Sequence, residues 1–134
     1  MIPSTSGFLP RDFVIEEQPS LTYKMDLEGD SVRGFADKQE AMKQTVYRIL
    51  NTERYQFVIY PWYYGIETLD LYGEPVTYVC PELERRITEA LLTDTRIRSV
   101  TDFEFDLDGK GAVHAAFTVN TIYGAVKAQK EVNI

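Results

Sequence analysis

The chain has 134 residues, enough for one domain around one core, and carries 14 basic against 21 acidic side chains for a formal charge of −7. At 44% hydrophobic and 13% aromatic residues the composition excludes a disordered chain, and the acidic balance, which repels phosphate backbones, disfavours nucleic acid. A single cysteine, Cys80, excludes an internal disulfide and a thiolate metal cage, and a single histidine, His114, leaves little for acid–base or metal chemistry.

No apolar run approaches the ~18 residues of a membrane span. The first residues lack the basic stretch and apolar core of a secretory signal, so folding in the cytoplasm is expected. Met1 to Pro19 reads as an extended arm: Pro3, Pro10 and Pro19 with Ser4, Thr5, Ser6 and Gly7 resist packing. Phe8, Leu9, Phe13, Val14 and Ile15 fit either a segment that orders against a partner or a frayed terminus. Residues 20–134 then form one folded domain.

Leu21, Tyr23 and Met25 alternate with polar neighbours, Glu28-Gly29-Asp30 turns, and Val32 to Phe35 returns, which predicts two short strands. Asp37 caps a helix, with Glu40 completing a capping box, and Met42, Val46, Ile49 and Leu50 form one buried stripe up to Asn51-Thr52. Tyr55 to Tyr60, β-branched and aromatic and stopped by Pro61, reads as a strand. After Gly65 a short helical turn through Leu69 and Leu71 closes at Gly73. A second helix is expected to open at Pro81, a proline-tolerant first position, with Leu83, Ile87, Ala90 and Leu91 inward and Glu82 supporting Arg86.

From Arg96 the period changes to two. Phe103, Phe105 and Leu107 alternate with Asp102, Glu104 and Asp106; Asp108 to Gly111 makes a hairpin turn; Val113, Ala115, Phe117 and Val119 alternate back. Ile122 to Ile134 supplies one more strand. The expected architecture is α+β: two main helices on a mixed, mostly antiparallel sheet, with a C-terminal hairpin and extra strand.

Candidate chemistry is thin. Asp102, Glu104, Asp106 and Asp108 with Gly109 approximate a calcium loop, but Ala115 stands where its bidentate Glu belongs, and alternating acids suit the wet face of a strand. Glu67 with Asp70, or Glu82 with Glu84, lacks the signature of a glycosidase pair. Cys80 at a helix start would have a lowered thiol pKa, and His114 is its one conceivable base, although nothing in the sequence brings the two together. Trp62, Tyr63 and Tyr64 divide between core packing and a protein interface. Neither a phosphate-cradling GxxxxGK[ST] nor a GxGxxG is present. No cofactor, metal or enzymatic activity is expected.

Four blocks in order, AMKQTVYRILNTER (Ala41–Arg54), WYYG (Trp62–Gly65), LERRITEALLTDTRI (Leu83–Ile97) and the tail through TIYG (Thr121–Gly124), resemble the phage tail sheath-initiator family. This is the family of gene-25-like baseplate wedge proteins, and the likeness is to its PBSX-type prophage branch. The resemblance implies a structural protein, present in multiple copies in a symmetric baseplate, whose partners are the tail sheath protein, the wedge proteins, and the tail tube or hub. The family's Glu-Pro-Arg triplet, which docks the domain on the wedge, falls here on Asp94, Thr95 and Arg96; only the arginine is retained. The family's sheet implies initiation of the sheath by β-strand addition, with Val113, Ala115, Phe117, Val119, Ile122, Tyr123 and Val126 in the pairing strands. The alternatives are a baseplate component contacting only tube or wedge, and a tail-associated cell-wall lysozyme.

Overall fold

In the computed structural model, which describes residues 17–26, 28, 29 and 31–134, these periods become two antiparallel sheets and two helices. Of the proposed arm, only Glu17, Gln18 and Pro19 fall among the described residues. β1 (Thr22–Met25) pairs with β2 (Val32–Ala36), α1 spans Lys38–Leu50, and a 3-10 turn covers Leu69–Leu71. α2 spans Val76–Leu92, and β3 (Ile97–Leu107), β4 (Ala112–Thr121) and β5 (Gly124–Asn133) form the larger sheet in the order β3-β4-β5. The α+β class stands, with two separate antiparallel sheets where one mixed sheet was expected.

Asp37 starts α1 by accepting the Lys38 N–H at 2.8 Å and the Ser20 hydroxyl. Glu40 does not close a capping box; it pairs with Lys24 at 2.9 Å and so ties α1 to β1. Gln44, nearly buried, completes that tie by accepting the Met25 N–H (2.9 Å) and donating to the Tyr23 carbonyl (2.7 Å). The small hairpin hangs on α1 by polar bonds, and its apolar side faces outward, where Tyr23 stacks on Phe35 at 5.4 Å.

The stripes of α1 (Met42, Val46, Ile49, Leu50) and α2 (Val79, Leu83, Ile87, Ala90, Leu91) are buried against Val113, Ala115, Phe117 and Val119 of β4. α1 lies toward β5 and α2 toward β3, leaving the opposite sheet face to solvent.

Two expectations are corrected. α2 begins at Val76, five residues before Pro81, with Pro75 at the cap; Pro81 lies inside the helix, where it has no N–H for the Thr77 carbonyl. The apolar stripe running from Val79 overrides the local cost. Tyr55–Tyr60 is not a strand: it lacks alternation and a neighbour to pair with, and it forms turns with Val58 and Ile59 projecting into solvent. Leu107 is likewise half exposed at the β3 end. β3 also carries a register shift between Thr101 and Glu104, where Asp102 adopts φ +59.

Candidate functional site

The β3–β5 sheet has two outer edges. β4 is central, hydrogen-bonded on both sides, and its Val113, Ala115, Phe117 and Val119 are buried. These four residues therefore support the site and cannot themselves accept a strand, a correction to the sequence expectation. Ile122 and Tyr123 form the two-residue turn between β4 and β5, and Val126 is buried with its backbone paired to β4.

Ladder polarity decides what β5 presents. Its register with β4 is unbroken from Thr121↔Gly124 to Ala112↔Asn133, and the Ile134 N–H reaches the Gly111 carbonyl at 2.7 Å. Because hydrogen-bonded and non-hydrogen-bonded pairs alternate, even-numbered residues of β5 point their backbone groups at β4 and odd-numbered ones point away. Ala125 conforms, its carbonyl accepting the Gln39 side chain of α1 at 2.6 Å. The outward N–H and C=O groups of Lys127, Gln129 and Glu131 have no partner among the described residues. They border an open groove of about 820 Å³ between α1 (Lys43, Tyr47) and β5 (Lys127, Gln129), reaching Glu104 and Ala116 on the exposed face. A second groove of about 1000 Å³ continues past His114 and Glu131. Sequence reasoning chose the apolar residues of these strands. The informative ones were the polar alternates Lys127, Gln129 and Glu131, visible as a period-two pattern in KAQKEVN.

By contrast, the outer edge of β3 is broken by its bulge and carries Asp102, Glu104 and Asp106, features that discourage regular pairing.

At the α2–β3 turn, Arg96 is spent inside the chain. Its guanidinium donates to Asp94 Oδ1 (3.0 Å) and Oδ2 (2.7 Å) and reaches the Pro19 carbonyl at 3.4 Å, with the side chain 9% exposed. Burial pushes the Asp94 carboxyl up, but the Arg96 guanidinium and backbone N–H outweigh it and hold it below the usual range. Thr95, exposed, donates to Glu17 at 2.7 Å. Arg96 therefore shapes the turn, and Thr95 is its outward residue.

Gly65 sits at φ +93, and a Cβ there would lie 2.5 Å from the Thr52 carbonyl oxygen. That close approach pins the base of the Tyr55–Tyr64 loop through Arg54 N–H to Ile66 O and Ile66 N–H to Thr52 O, each 3.0 Å. Glu53 accepts the Thr68 N–H and hydroxyl at 2.8 Å each. Above this base Tyr64 stacks on Tyr60 at 4.7 Å and packs on the core, while Trp62 is 72% exposed beside a half-exposed Tyr63. The aromatic run thus divides: Tyr64 inward, Trp62 and Tyr63 outward.

Catalytic geometry does not form around the residues considered. Asp70 and Glu82 are held below their usual range by hydrogen bonds, Asp70 to Arg86 and Glu82 to Arg85 and then Arg86, the opposite of what a general acid needs. Cys80 lies in the second turn of α2, and burial pushes its thiol up, contrary to the lowering expected at a helix start. His114 instead faces Asp108 (3.8 Å from Nε2) and Glu131 (3.7 Å from Nδ1). One ligand atom from each of the three lies within 4.8 Å of the others, in a cluster whose two acids are exposed. Asp108 is already occupied in the hairpin turn, accepting the Lys110 and Ala112 N–H groups. No helix among the described residues is long and apolar enough to cross a membrane.

Comparison with known proteins supplies the family. The profile of the contractile injection system sheath initiator family matches residues 21–124. The chain is 38% identical over 117 residues to the phage-like element PBSX protein XkdS of Bacillus subtilis (strain 168), covering 84% of this chain and 82% of that protein. Both helices, the glycine step, β3 and β4 fall inside the matched span, which ends where β5 begins, and the chain belongs to the contractile injection system sheath-initiator family.

Proposed function

We propose that this chain is a non-catalytic baseplate component that docks on the wedge and starts the tail sheath by accepting a sheath strand along the open edge of β5. Family membership supports the baseplate role. The observation that carries the strand-addition reading is the set of outward backbone groups at Lys127, Gln129 and Glu131, which have no partner among the described residues and border an open groove. Each added backbone bond contributes about 0.5–1.5 kcal/mol, so one strand is held weakly and a ring of copies holds firmly through effective concentration. The folded domain, residues 20–134, reaches the wedge with the α2–β3 turn, whose shape Arg96 and Asp94 maintain and whose outward face carries Thr95. Trp62 and Tyr63 offer aromatic surface to a protein neighbour.

The experiment is proline placement. Gln129→Pro removes an outward donor and leaves the β4 ladder intact, since proline is tolerated on an edge strand when its missing N–H faced solvent. The variant is expected to fold and enter baseplates that remain without sheath. Lys130→Pro, which removes an inward ladder bond, is expected to destabilise the domain itself. Normal sheaths on folded Gln129→Pro baseplates would refute the reading.

A further inference from the structure

The chain's single histidine stands where carboxylates converge on it. His114 is fixed in β4 by ladders on both sides, with Asp106 of β3 and Glu131 of β5 as its register partners on the solvent face. Asp108 approaches from the β3–β4 turn. Its Oδ1 accepts the Lys110 and Ala112 N–H groups at 2.8 and 3.2 Å, which leaves Oδ2 facing the imidazole, 3.8 Å from Nε2. Glu131 Oε2 lies 3.7 Å from Nδ1. Both separations are too long for a hydrogen bond, and among the described residues His114 is the only ion-pair partner of either acid.

We propose that Asp108, His114 and Glu131 bind a divalent transition cation of the Zn²⁺ class, with water completing its coordination. The separations favour an ion over direct bonding. Two ligands at about 2.1 Å from a tetrahedral ion stand about 3.4 Å apart, near the 3.7 and 3.8 Å found here, whereas an N–H···O bond needs about 2.9 Å. One ligand atom from each residue lies within 4.8 Å of the other two, and the exposed Glu131 closes the remainder by a change of rotamer. The donor set decides the class of ion: imidazole suits Zn²⁺ and its neighbours, whereas Ca²⁺ and Mg²⁺ take oxygen ligands. The site is independent of the strand-addition reading. Its ligands come from the β3–β4 turn, β4 and the C-terminal end of β5, so a bound ion ties these three together and stabilises the folded chain.

The test is addition of Zn²⁺ alone to the purified, metal-stripped full chain, followed by calorimetry, thermal melting and the proton resonances of the single imidazole. Saturable binding, a raised Tm and shifted His114 resonances are expected. His114→Ala and Glu131→Gln should each weaken binding by about tenfold or more, at least what loss of an outer-shell partner costs at a metal site. Glu104→Gln, on the same strand face, and Cys80→Ser should bind as the wild type does, and Ca²⁺ or Mg²⁺ at the same concentration should leave Tm unchanged. Imidazole resonances unmoved by Zn²⁺ overturn the proposal, and this measurement needs no variant to fold. An equal response to Ca²⁺ also overturns it, since the acids then only gather counter-ions. Binding that survives His114→Ala, or is lost in Cys80→Ser, puts the ion elsewhere and overturns it too.

Discussion

Replacing Arg96 with alanine isolates what holds the α2–β3 turn. The substitution removes the two hydrogen bonds to Asp94 and the longer one to Pro19, leaving a carboxylate, 12% exposed, with only the Arg96 backbone N–H at 2.9 Å. Removing one partner of a buried pair costs about 3–5 kcal/mol, and the surviving N–H bond puts this case near about 3 kcal/mol. For a domain of this size that lowers Tm by about 10 °C. The pH dependence follows from Asp94. Its folded-state carboxyl lies below the ordinary value, so the pair's contribution is complete above the unfolded pKa of about 3.9 and is lost as pH falls through the folded value. Without the Arg96 side chain only the backbone N–H still opposes burial, so the carboxyl rises and protonation relieves the variant sooner. The gap between wild type and Arg96→Ala is therefore widest near neutrality and narrows on acidification, as thermal melts at neutral pH and in acetate buffer would record. A loss under about 1 kcal/mol, or an equal gap in both buffers, would refute the reasoning.

Gly65→Ala forces a Cβ to within 2.5 Å of the Thr52 carbonyl at φ +93, and denaturant unfolding should show a loss of about 3 kcal/mol. Leu83→Ala, at a fully buried position, is expected to cost about 2–5 kcal/mol, whereas Val58→Ser on the exposed loop should stay within about 0.5 kcal/mol by the same measurement. Cys80, its thiol raised by burial, should react with iodoacetamide near neutral pH more slowly than free cysteine and speed up once guanidinium unfolds the chain.

Much of the fold was legible because its periods are clean. The stripes Met42-Val46-Ile49-Leu50 and Leu83-Ile87-Ala90-Leu91 are buried as read, and the alternation of Val113 to Val119 marks β4. What failed has physical causes. Tyr55–Tyr60 has strand composition but no alternation, and composition alone cannot supply a pairing neighbour. Pro81 looked like a helix start because its intrinsic cost is high, yet the buried Val79 and Leu83 on either side carry the helix through it. The candidate edge was mislocated because apolar residues announce the core, while an open edge is a matter of strand order and backbone parity. Neither is visible until β4 is known to lie between β3 and β5. Arg96 drew attention as a docking residue, and only coordinates reveal that its guanidinium is satisfied at home.

The order of elements along the chain also sets a sequence of events at the ribosome. α1 and α2 are made before any strand of the sheet that covers them, and β5 follows the other described elements. At about 5–20 residues per second, the segment from Ile97 to Asn133 takes roughly 2–7 s to emerge. For that interval the apolar stripes of both helices have no sheet to lie on, a window in which a nascent chain is open to chaperones. The edge at Lys127 to Glu131 cannot exist until β5 has zipped onto β4, so a partly made subunit offers no template for premature polymerisation of its neighbours.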